Sequence, residues 1–117
     1  MDKEQWRMKL REFKKQRQGL ELSIHMYSLA AHDAEQLNQN AEYYNRRLED
    51  TQNEQAEVLA WFDALIAPLE HSERKIMTAY YIEDVGWDYI NHHVPYGRRQ
   101  AIRIRDKILR RFSQKHG

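Results

Sequence analysis

Residues that interrupt helices are nearly missing from the first half of this chain. No proline precedes Pro68, and Gly19 is the only glycine before Gly86. Proline and glycine are the strongest local breakers, so a long stretch without them defaults to helix. Strand signals are missing as well, with no sustained period-2 alternation and no Asn-Gly or Asp-Gly hairpin turn. The sequence predicts an all-α fold.

Within that stretch the apolar spacing is regular. Trp6, Leu10, Phe13, Arg17, Leu20, Ile24, Tyr27, Ala31 and Ala34 step by alternating 4 and 3, a heptad seam with one polar interruption at Arg17. A second seam runs through Leu37, Ala41, Tyr44, Leu48, Thr51, Gln55, Val58, Phe62 and Leu65. An extra step of 3 joins them, so the helix is either overwound there or the chain turns. Asp33, with Gln36 three residues on, is a candidate N-cap that favours a break. Thr51-Gln52-Asn53-Glu54 has the form of a capping box and predicts a helix start at Thr51. Two arrangements satisfy the seams: a hairpin closing on itself, or a coiled coil formed between two copies of the chain. Residues 1–50 are expected to be a helical, coiled-coil-like extension suited to oligomerisation, and residues 51–117 a second domain.

After Pro68 the elements shorten. Ser72 can cap a helix that buries Ile76, Ala79 and Tyr80; Glu83–Gly86 reads as a turn; a second helix opens near Trp87; and a third follows Pro95-Tyr96-Gly97, from Arg98 to about Phe112. At 100° per residue, Ala101, Ile104, Ile108 and Phe112 of the third helix share an arc of about 80°, widened by Ile102 and Leu109. Arg99, Arg103, Lys107 and Arg110 lie opposite, with Gln100 and Asp106 at the edges. One face is core and the other is a cationic ridge. Short helix, turn, short helix, tight turn and basic amphipathic helix form the helix-turn-helix pattern, in which the last helix enters the DNA major groove.

The charge distribution agrees. Formal net charge is only +1, yet residues 1–17 carry seven basic and three acidic side chains, residues 18–96 four and fourteen, and residues 97–117 eight and one. A basic end beside an acidic middle suits a polyanionic partner, although a charge run is also the ordinary look of a solvated face. Arg98, Arg99, Gln100 and Arg103 have the side chains that match guanine and adenine edges. Lys107, Arg110 and Arg111 suit phosphates, Tyr96 fills the space between the paired helices, and Gly97 leaves helix-start amides open to a phosphate.

The stretch from Leu69 to Ile90 resembles region 4 of sigma-70 factors, and more closely the phage late-transcription regulators of the ArpU and RinA type. Glu73-Arg74 opens the first helix, Tyr81-Ile82-Glu83 closes it, and Trp87-x-x-Ile90 begins the second. With the upstream helix carrying Trp61, the likeness covers roughly residues 57–112. Asn91, Pro95, Gly97 and Tyr80 depart from the family pattern. The resemblance implies a sigma region 4-like helix-turn-helix on double-stranded DNA, in a phage or prophage activator of late genes that also contacts RNA polymerase.

Two other readings share these features. A phage small terminase subunit joins a helix-turn-helix to oligomerising helices, usually in the opposite order. A sigma-like protein can instead seize polymerase or another protein without reading DNA. An amphipathic basic helix also suits an acidic partner or a membrane surface, but here its apolar face has two preceding helices to pack on. No P-loop or nucleophile motif is present, so no enzyme is expected. There is no cysteine, His92 and His93 diverge by about 100° on a helix, and neither a metal site nor a cofactor is expected. No run of 18 apolar residues and no signal-peptide pattern occurs, which predicts a soluble intracellular protein without a membrane partner; the phage resemblance implies the cytoplasm of a bacterial host.

Overall fold

A computed structural model describes residues 1–116 of the chain. It is all-helical, with no strand among the described residues: α1 (Lys3–Gln36), α2 (Glu42–Ile66), α3 (His71–Tyr81), α4 (Trp87–His93) and α5 (Arg98–His116). The chain divides into two compact units. One is Lys15–Asp63; the other is Met1–Lys14 together with the chain from Ala64 onward.

The first unit holds the later turns of α1 and most of α2. The helix break falls after Gln36, not at Asp33, which lies inside α1. It is a Schellman ending: Asn38 takes φ 55°, the Gln39 amide donates to the Ala34 carbonyl at 2.8 Å, and the Asn38 amide donates to Glu35 at 3.2 Å. Asparagine tolerates that left-handed position better than most side chains, which is why the chain can turn here without a glycine. Asn40 Oδ1 then accepts the Glu42 amide at 2.9 Å and opens α2. Leu37, expected on the second seam, sits in this turn and is exposed.

The other seam positions are buried in part: Ile24, Tyr27, Tyr44, Leu48, Gln55 and Val58 are half-buried. Arg17, Leu20, Ala31, Ala34, Ala41, Thr51 and Phe62 are buried, and Arg47 donates to the Tyr27 hydroxyl at 3.4 Å across the hairpin. Part of both seams is covered within the single chain. Arg17 is accommodated because its Nη1 donates to Glu21 at 2.6 Å, one turn on. Thr51 does not start a helix. It lies in the middle of α2, with its hydroxyl donating back to the Arg47 carbonyl at 2.7 Å, the usual way a helical threonine satisfies itself. A capping-box pattern inside a helix that is already propagating is spent on no free amide.

In the second unit α3, α4 and α5 each pack against the other two. Ile76, Ala79, Ile90, Val94 and Ala101 form the centre, flanked by Tyr80, Val85, Trp87, Tyr96 and Ile104. The helix after Pro68 is capped two residues earlier than Ser72. Glu70 is the N-cap, its side chain accepting the Glu73 amide while Glu73 accepts the Glu70 amide. Met77 and Tyr81 are buried in addition to Ile76 and Ala79, because the first turns of α1 cover a second face of α3 and α5.

Those turns begin with a reciprocal box between Asp2 and Gln5, each accepting the other's amide at 2.8 Å. Trp6, Leu10 and Phe13 are buried, and the Trp6 ring lies 5.4 Å from that of Phe112. Lys3 pairs with Asp106 at 3.8 Å and Lys14 with Asp84 at 3.9 Å. Fully burying side chains of this size contributes about 1.5–3 kcal/mol each.

Two substitutions test this packing by urea unfolding. Leu10→Ala is expected to cost about 2–5 kcal/mol, since Leu10 has no exposure and its loss leaves a cavity. Asn91 Oδ1 is buried without a hydrogen-bond partner, so Asn91→Ala is expected to raise stability by about 1 kcal/mol.

Candidate nucleic-acid interface

The orientation of α5 follows from its inward residues. Ala101, Ile108, Leu109 and Phe112 are buried, so the residues between them at helical spacing face outward. Arg98, Arg99, Gln100, Arg103, Lys107 and Arg110 are all exposed. Among the described residues no carboxylate pairs with any of these cations. From Arg99 to Arg110 the row extends about 16 Å along the helix. Cations at this spacing, without counter-charges of their own, form a strip suited to a polyanion.

The remaining expected residues are placed differently from one another. Tyr96 is half-buried and packs against the Ile76–Ala101 core, between α4 and the start of α5. Gly97 is exposed, with its carbonyl accepting the Ala101 amide at 2.9 Å, so α5 starts directly after it. Arg111, expected beside Lys107 and Arg110, is instead ion-paired to Glu73 of α3. Its guanidinium ties the end of α5 to the start of α3. His93 Nδ1 lies 2.8 Å from the Tyr89 carbonyl and its ring stacks on Tyr89 at 4.0 Å, whereas His92 is exposed.

One α5 cation was not singled out by the wheel. Arg105 is buried, with its guanidinium 5.4 Å from the Trp87 ring and 5.7 Å from the Tyr80 ring, which stack on each other at 4.9 Å. It pairs with the adjacent Asp106 at 3.3 Å, and among the described residues its enclosed Nε has no hydrogen-bond partner. Arg105 lies about 200° around the helix from Arg103, so it belongs to the opposite face. The signal was present: at 100° per residue Arg105 falls on the apolar side, between Phe112 and Leu109, but a charge in a basic helix looks unremarkable by composition.

Next to Arg105, burial holds the Tyr81 phenol well above its usual range, up to about 12. Arg105, Arg7 and Arg11 act in the opposite direction, which places three cations close enough to be felt there. No protein-family model, curated protein or solved structure matches this chain.

Tyr81 gives a pH prediction. Its native-state value is raised, so the folded chain holds the phenolic proton more tightly than the unfolded chain. That contribution is complete below about pH 10 and is lost as pH rises through about 12. Tyr81→Phe is expected to flatten this part of the stability profile, measured as the wild-type-minus-variant difference by urea unfolding between pH 9 and about 12.

Proposed function

We propose that this protein is a sequence-specific regulator of transcription that binds double-stranded DNA, encoded by a phage or prophage and acting on late genes in the bacterial cytoplasm. The observation that carries this reading is the unpaired cationic row of α5, presented outward by three mutually packed short helices. In a helix-turn-helix of the sigma region 4 kind, Arg98, Arg99, Gln100 and Arg103 meet base edges, while Lys107 and Arg110 neutralise phosphates. Arg111 plays a smaller part because Glu73 already holds it. Tyr96 and Gly97 position the helix start. RNA polymerase is the second proposed partner, on the sequence resemblance alone. No catalytic step belongs to this reading.

Self-association is proposed through α1, on a face that the hairpin leaves uncovered. Leu22, Met26 and Leu29 are exposed at 4 and 3 spacing, and the space beside Gly19 is open. Paired antiparallel with a second copy, Leu22 meets Met26, Leu29 lies over Gly19, and Lys15 faces Asp33. The charges at the two ends of the stripe are thus complementary to themselves under a two-fold axis.

Retention of genomic fragments at two salt concentrations, with mass measured by light scattering, tests the whole reading. Selective retention of a promoter-proximal fragment by a dimer is expected. A large ring retaining a packaging site points to a terminase subunit, and no selectivity at either salt overturns DNA reading. Arg99→Ala or Arg103→Ala is expected to cost about 1–3 kcal/mol at one base position. Arg110→Ala should weaken binding to all sequences alike and reduce the salt slope by about one.

A further inference from the structure

The cavity lined by Arg7, Arg11, Lys14, Tyr80, Tyr81 and Arg105 has no part in the DNA reading. It lies in the second unit, between the first turns of α1 and helices α3 and α5. Arg7, Arg11 and Lys14 are spaced by 4 and 3, so they share one stripe of α1 beside the Trp6–Leu10–Phe13 seam. Like charges at that spacing repel, and no carboxylate among the described residues pairs with Arg7 or Arg11. Arg105 closes the inner wall, buried, with Nε unpartnered.

The charges do not balance. Four cations line the cavity, and among the described residues the carboxylates paired to them are Asp84, 3.9 Å from Lys14, and Asp106, 3.3 Å from Arg105. Asp106 is also shared with Lys3. Arg105 Nε is fully enclosed behind the wall, so what the cavity presents to a ligand is an excess of positive charge, which an anion offsets. The cavity measures about 130 Å³ and is partly open to solvent, which gives a compact anion room to enter. Around it stand guanidinium donors, an ammonium and the Tyr80 and Tyr81 side chains, a donor-rich lining that matches phosphate oxygens.

We propose that this cavity binds the phosphate group of a small phosphorylated ligand, with Arg7, Arg11 and Arg105 as its donors and Lys14 as a further positive charge. A DNA backbone phosphate fits less well. Arg105 faces away from the exposed row of α5, about 200° around the helix from Arg103. Because Arg105 also lies against the Tyr80 and Trp87 rings, occupancy bears directly on the packing of α3, α4 and α5.

The test is calorimetric titration of the full chain with inorganic phosphate and with pyrophosphate at low chloride. Pyrophosphate is expected to bind with a Kd below about 1 mM, and the double variant Arg7→Gln with Arg11→Gln to weaken it by at least about tenfold. Neither residue is buried, so folding should persist, as far-UV circular dichroism checks. Lys9→Gln changes charge on the other side of the same helix and is expected to leave binding unchanged. No binding of either anion overturns the proposal. Equal weakening by Lys9→Gln also overturns it, since attraction would then come from net charge alone. Loss of DNA retention by the double variant, without pyrophosphate binding by the wild type, would reassign Arg7 and Arg11 to the DNA backbone. Failure of the α5 variants to alter DNA retention leaves this result standing, so the two readings fail separately.

Discussion

The Trp6–Phe112 contact holds the first helix to the last. Their rings meet 5.4 Å apart at the point where α1 begins and α5 nears its end. Leu10 and Phe13 continue the same buried stripe. Without that cover, Met77, Tyr81 and the inner side of α5 would face water, and three short helices alone bury little. The first turns of α1 therefore complete the core of the C-terminal helices, and the cationic row of α5 depends on that core for its orientation.

Charge is sorted by the same packing. Arg99, Arg103, Lys107 and Arg110 remain hydrated, where a cation costs little. Arg111 is tied to Glu73, which also completes the cap of α3, so one carboxylate serves a helix start and an inter-helix pair. Arg105 is the exception. Its guanidinium leaves water for the Tyr80 and Trp87 rings, a favourable surface for arginine but not a substitute for a full set of acceptors. That imbalance separates the cavity side of α5 from the outward row.

The parts legible in the sequence were those set by periodicity. The two seams, the apolar arc of α5 and its outward cations follow from 3.6 residues per turn, and burial of Leu20, Ala34, Phe62, Ala101 and Ile108 agrees with them. Cap signals were less legible, because they depend on which amides are free. Thr51 had the right neighbours but sits in mid-helix, whereas Asn38, which gave no strong signal, turns the chain. Residues 1–50 looked uniform in pattern, yet Met1–Lys14 groups with the C-terminal helices and the rest of α1 does not.

What the sequence determined by itself is the all-helical chain, the faces its helices bury and the segregation of basic charge onto α5. These need only local geometry and the spacing of apolar residues. What the tertiary structure decided is which buried faces meet: that the first turns of α1 cover α3 and α5, that Arg111 is tied to Glu73, and that Arg7, Arg11, Lys14 and Arg105 converge around one cavity. Periodicity fixes a direction around a helix axis. The partner met in that direction comes from long-range packing, which no local spacing encodes.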